Sequence, residues 1–156
     1  MLKGLKEKRK LILYAGLSIV WTLFIFSFSI QSGEESSQLS GGLISMLVGV
    51  IVPSDFAYIG QLEFGIRKLA HFTEYFILGV LVIQTMRQTH YSKSRIIAVL
   101  ICLLVASCDE TIQLFSGGRS GKITDVVLDS VGSWCGIIVS LKVRLKAEWI
   151  IANEKR

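Results

Sequence analysis

Arg67, Lys68, His71, Glu74 and Tyr75 lie within nine residues, Arg67-Lys-Leu-Ala-His71-Phe-Thr-Glu74-Tyr75, where an apolar segment long enough to cross a membrane begins. On a helix, Arg67, His71 and Glu74 fall at about 0°, 40° and −20°, which is one narrow face. An imidazole beside a carboxylate and a guanidinium is suited to proton transfer or to holding an anion. Ionisable groups inside a span are costly in lipid, so they are expected to face a bundle interior or a wet cavity and to pair there. Two later stretches supply partners: Asp109-Glu110-Thr-Ile-Gln113, and Gly118-Arg119 through Asp125 to Asp129.

The depths of these residues agree. Glu74 lies about eight residues from one end of its apolar run, roughly 12 Å at the helical rise. Asp109 and Asp129 each lie about six residues from the end of theirs. The runs alternate in direction, yet the charges reach a similar depth on one side. Asp109 and Gln113 are four apart and share a face, with Glu110 about 100° away. Asp125 and Asp129 are also four apart, and Gly132 and Gly136 continue their stripe. Gly132-Ser-Trp-Cys-Gly136 has the small-xxx-small spacing that lets another helix approach closely, and it also offers a surface for a homodimer.

The elements that must position these groups are read from the apolar runs. The chain has 156 residues, of which 51% are hydrophobic, and one proline. Its mean hydropathy is +0.56. This composition predicts an all-α polytopic membrane protein forming a single domain. Four transmembrane helices are expected at about 11–30, 66–86, 96–115 and 123–141. The ten apolar residues 43–52 are too short to span and suit a short re-entrant or interfacial helix between the first and second spans. The first run, 20 residues, exceeds the apolar core of a signal peptide and reads as an uncleaved span. Cys102, Cys108 and Cys135 form no CxxC and lie in apolar runs, as packing residues do.

Charge supplies an orientation. Of 17 Lys+Arg, thirteen lie at the two termini and in the loop after the second span, against Arg67, Lys68, Arg119 and Lys122 on the other side. Both termini are therefore expected in the cytoplasm, with residues 31–65 and the glycine-rich loop facing outward. The net charge of +5 does not imply nucleic acid, because no basic reading module is present.

The segments RKLAHFTEY and CDETIQLFSGGRSGKITDVVLDSVG resemble the VanZ-like family of bacterial membrane proteins. The likeness runs from the first span through Gly136, including the serines at 36, 37 and 40. The family pattern falls on Arg67, Lys68, His71, Glu74, Tyr75, Asp109, Glu110, Gln113, Arg119, Asp125 and Gly132. The chain departs from it with Asp129, where Asn is frequent, and with Gly118, where the turn often carries Pro. The resemblance implies a multi-span protein of a bacterial cytoplasmic membrane that lowers susceptibility to teicoplanin-type glycopeptides. It implies no agreed mechanism.

Three functions fit these residues. The leading one is a binding site in the outer leaflet, with Arg67, Lys68, Arg119 and Lys122 as a basic rim over Glu74, Asp109, Glu110, Asp125 and Asp129. Tyr75 and Gln113 line the same site. It would hold the head of an envelope amphiphile, such as a lipid-linked wall precursor or a lipoglycopeptide, among membrane lipid. The second is an enzyme acting on a lipid-linked phosphate, with His71 as acid/base, Glu74 or Asp109 orienting it and Arg119 stabilising charge. The third is a charge network that only fixes helix register. No resident cofactor or metal is expected; a cation variant of the enzyme would use His71, Glu74, Asp109 and Asp125.

Overall fold

The computed structural model describes residues 2–34, 38, 42, 56–89, 91–118 and 121–154. Among these, four helices are long and apolar enough to cross a membrane, and there is no strand. They are α1 (Leu2–Ser29), α2 (Phe56–Gln88), α3 (Ser94–Phe115) and α4 (Ile123–Glu154). The protein is all-α and multi-pass, as the apolar runs predict. Gly33, Glu34, Gln38 and Gly42, between α1 and α2, are also helical, so a short helix stands there. The stretch expected to form it, 43–52, lies outside the described residues.

Three helices run past the expected spans. Apolarity reports which residues suit lipid, whereas a helix continues until its backbone hydrogen bonds are broken. Residues 142–154 contain neither Gly nor Pro and carry the α4 helix to Glu154, with Arg144 and Glu148 paired one turn apart at 2.5 Å.

α2 is the central element. It packs most extensively on α4 and also touches α1 and α3. Lipid tails are as apolar as leucine, so close van der Waals fit, more than burial from water, holds such helices together. α4 buries Asp129, Gly132, Ser133, Gly136, Ile137 and Ser140, one stripe at helical spacing. A Cβ on Gly132 would lie 2.6 Å from the Phe72 carbonyl oxygen, and one on Gly136 would overlap that of Phe76. From the other side, a Cβ on Gly79 would overlap the Ser133 carbonyl. The Gly132–Gly136 face of α4 is therefore occupied by α2 of the same chain.

α3 adds small residues, with Ala98, Cys102 and Ala106 fully buried beside Leu78, Val82 and Ile83 of α2. All three cysteines are free thiols, and only Cys102 is buried. α1 is attached more lightly. Its inward line includes Ser18, Trp21, Ile25 and Ser29. Ser18 and Thr85 hydroxyls lie 3.2 Å apart, and the Trp21 indole donates to the Glu74 carbonyl oxygen at 2.8 Å. Leu17, Ile19, Val20 and Leu23 point away from the bundle, as lipid-facing residues should.

Candidate binding site at the polar end of the bundle

The α3–α4 loop closes one end of the bundle. Gly118 has φ of +76°, a left-handed conformation that glycine adopts without Cβ strain, and it reverses the chain after α3. The Gly33 N–H donates to the Gly117 carbonyl at 2.9 Å, joining the segment after α1 to this loop. The Lys122 backbone N–H donates to Glu110 Oε2 at 2.8 Å, which draws the start of α4 onto the last turns of α3. Glu110, about 100° from Asp109 around the helix, is thus spent on the loop.

Below the loop the polar groups of α1, α2, α3 and α4 converge in the interior. Asp109 of α3 and Asp129 of α4 are fully buried. Ser29 at the end of α1 donates to Asp109 Oδ1 at 2.5 Å, and the Gln113 side-chain amide donates to Oδ2 at 3.2 Å. His71 Nδ1 of α2 stands 4.0 Å from Asp129 Oδ1. One ligand-type atom from each of His71, Asp109 and Asp129 lies within 4.8 Å of the others. Among the described residues, neither oxygen of Asp129 has a hydrogen-bond partner. The fully buried Tyr75 lies among Asp109, Asp129 and Glu74.

Above this interior layer lies a cleft of about 170 Å³, lined by Phe64, Arg67, Lys68, His71, Gln113 and Lys122, with Gly118 and Asp125. Lys68 pairs with Asp125 across α2 and α4, and its ammonium sits 5.3 Å from the centre of the Phe64 ring. His71 and Gln113 belong to both layers: they line the cleft and stand beside the buried carboxylates.

The sequence-predicted residues therefore sort into groups. Arg67, Lys68, His71, Gln113 and Asp125 meet at the cleft, and Lys122 joins them. Tyr75, Asp109 and Asp129 lie beneath it. Glu110 holds the loop. Glu74 is half-buried and lines neither the cleft nor the converging trio, and its backbone carbonyl carries the Trp21 contact. The cation set read from sequence, with Glu74 and Asp125, is not the set that converges: Asp129 stands with His71 and Asp109, while Asp125 turns to Lys68. Arg119 lies outside the described residues. Ser29 was not legible as part of this site. The sequence offers one signal for it, a serine in the final turn of an apolar run, at the same side as the carboxylates.

Four membrane-spanning helices around a His–Asp–Asp layer with both carboxylates buried, topped by a basic cleft, define a multi-pass helical membrane protein with a polar site built into one end. The chain belongs to the VanZ/LLP1 family, whose model matches residues 13–145. That match takes in every residue of the cleft and of the layer beneath it. Comparison with curated proteins found no match, and comparison with solved structures found none.

Proposed function

We propose that the cleft binds the anionic head of an envelope amphiphile in the outer leaflet of a bacterial cytoplasmic membrane, with its tail lying along the lipid-facing helices. A lipid-linked wall precursor or a lipoglycopeptide has this chemistry. The observation that carries the reading is the lining of the cleft: Arg67, Lys68 and Lys122 surround a cavity at the end of a membrane bundle, and among the described residues Asp125 alone supplies a carboxylate to it. A guanidinium forks onto phosphate or carboxylate oxygens and ammonium groups add point charge. Phe64 supplies an apolar edge on the side where a tail would leave. The excess of Lys+Arg at the termini and in the loop after α2 supports an orientation with both termini in the cytoplasm and this end outward. Holding such a head at the surface would lower susceptibility to teicoplanin-type antibiotics.

The test is native mass spectrometry of the full chain offered a long-chain polyprenyl phosphate beside the matching polyprenol. Selective retention of the phosphate, lost in Lys68→Ala/Lys122→Ala, is the expected result. Equal retention of both lipids, or retention unchanged in the double variant, sinks the reading.

A catalytic reading draws on one observation, that His71 lines the cleft while standing beside Asp129. It requires turnover of a lipid phosphate that His71→Asn abolishes while leaving phosphate binding within a few-fold.

A further inference from the structure

We propose that His71, Asp109 and Asp129 bind one divalent cation of the borderline class, Zn²⁺ or Mn²⁺, in the interior of the bundle beneath the basic cleft. The inference does not rest on lipid binding in the cleft; it uses the layer below it.

The three groups come from three different helices, α2, α3 and α4, and converge within 4.8 Å. Helix packing, not a flexible loop, sets their separation. An imidazole nitrogen with two carboxylate oxygens is a mixed donor set that suits Zn²⁺ and Mn²⁺, whereas Mg²⁺ prefers oxygen and keeps its waters. An ion about 2.0–2.2 Å from each donor holds them roughly 3.3 Å apart in tetrahedral and ~4.2 Å apart in trans octahedral positions. The 4.0 Å between His71 Nδ1 and Asp129 Oδ1 lies inside that interval. Small side-chain rotations bring in the third donor.

Asp129 supplies the independent observation. It is fully buried, it faces this space, and among the described residues neither of its oxygens accepts a hydrogen bond. A carboxylate removed from water without a donor is strongly disfavoured unless a cation or a proton joins it. Asp109 stands within reach of it, so two carboxylates share one interior with a single imidazole. A dication neutralises both.

The surroundings resemble the support that metal ligands commonly have. The Ser29 hydroxyl and the Gln113 amide each hold one oxygen of Asp109 at 2.5 and 3.2 Å, which fixes the carboxylate. The Tyr75 hydroxyl is also buried beside this layer, and among the described residues it has no hydrogen-bond partner. His71 lines the cleft, so an ion has a way in.

The test is direct. The purified full chain in detergent is stripped with a chelator and dialysed against Zn²⁺, Mn²⁺ or Mg²⁺ separately. Bound metal per chain is read by elemental analysis, and unfolding is followed by tryptophan fluorescence. The expected result is one Zn²⁺ or Mn²⁺ per chain and a raised unfolding temperature. Asp129→Asn should weaken uptake roughly tenfold or more, while the metal-free variant unfolds no lower than the metal-free wild type. Glu148→Gln, on the exposed far stretch of α4, should keep the metal. If Asp129→Asn does not fold, His71→Asn carries the same expectation. No uptake by folded wild type, uptake unchanged in the triad variant, or binding of Mg²⁺ in preference to the other two overturns the site. Metal uptake without selective polyprenyl phosphate retention leaves this site standing and removes the lipid reading alone.

Discussion

α2 and α4 meet twice, by opposite means. Along one length Gly79, Gly132 and Gly136 put backbone against backbone, so that a single added carbon has no room. At the loop end, His71 and Asp129 face each other at 4.0 Å, with two oxygens of a buried carboxylate lacking hydrogen bonds among the described residues. Close packing without slack stabilises a membrane bundle and permits little else. Buried ionisable groups are weak evidence for stability, because apolar residues of the same volume hold a fold equally well or better. The difference therefore assigns the glycine seam to architecture, and stability alone does not account for the polar layer.

The comparison is broken most severely at the seam. Gly136→Val forces α4 away from the Phe76 carbonyl, and we expect a loss of about 3 kcal/mol or more, or no folded protein, in a denaturant titration. A variant that folds with wild-type stability would mean the seam is not close-packed.

The polar layer should respond in the other direction. Asp129→Leu removes an unsatisfied carboxylate, so metal-free stability should stay within about 1 kcal/mol of wild type or rise, while metal uptake is lost. Asp109→Ala behaves differently within the same layer. It strands the Ser29 hydroxyl and the Gln113 amide, and a loss of about 2–3 kcal/mol is expected by the same titration. Equal responses of the two aspartates would erase the distinction drawn between a satisfied and an unsatisfied carboxylate.

Smaller effects sharpen the boundary between cleft and surface. The Lys68–Asp125 pair is three-quarters shielded or more, and a double-mutant cycle should give a coupling of about 1 kcal/mol. The Arg144–Glu148 pair is half-exposed on one helix, and its cycle should give about 0.3 kcal/mol, falling with salt.

Much of the site was legible in sequence because helical periodicity and depth are one-dimensional quantities. Counting residues from the ends of three apolar runs places Glu74, Asp109 and Asp129 at one level, and counting by fours puts Asp109 with Gln113 and Asp125 with Asp129. Counting could not tell which of several acids at that level would turn toward His71. Asp125 and Asp129 share a face, yet one reaches Lys68 at the rim and the other lies beneath it. Glu74 shares a face with His71 and still falls outside the converging trio. Rotation and tilt of helices about one another decide such choices, and they follow from the whole packed seam. Ser29 escaped notice for the same reason, since the position of α1 against α3 is not written in either helix.

What the amino-acid sequence determined by itself was the number and nature of the spans, the family, and the set of polar residues gathered at one end. Lipid permits few backbone solutions, so composition and periodicity suffice for that. Only the tertiary structure decided that the glycines of α4 face α2 of the same chain, that Lys68 takes Asp125 and the α3–α4 loop takes Glu110, and that His71, Asp109 and Asp129 remain together in the interior. Pairing among buried charges is settled by ångström-scale separations, and those exist only once four helices have packed.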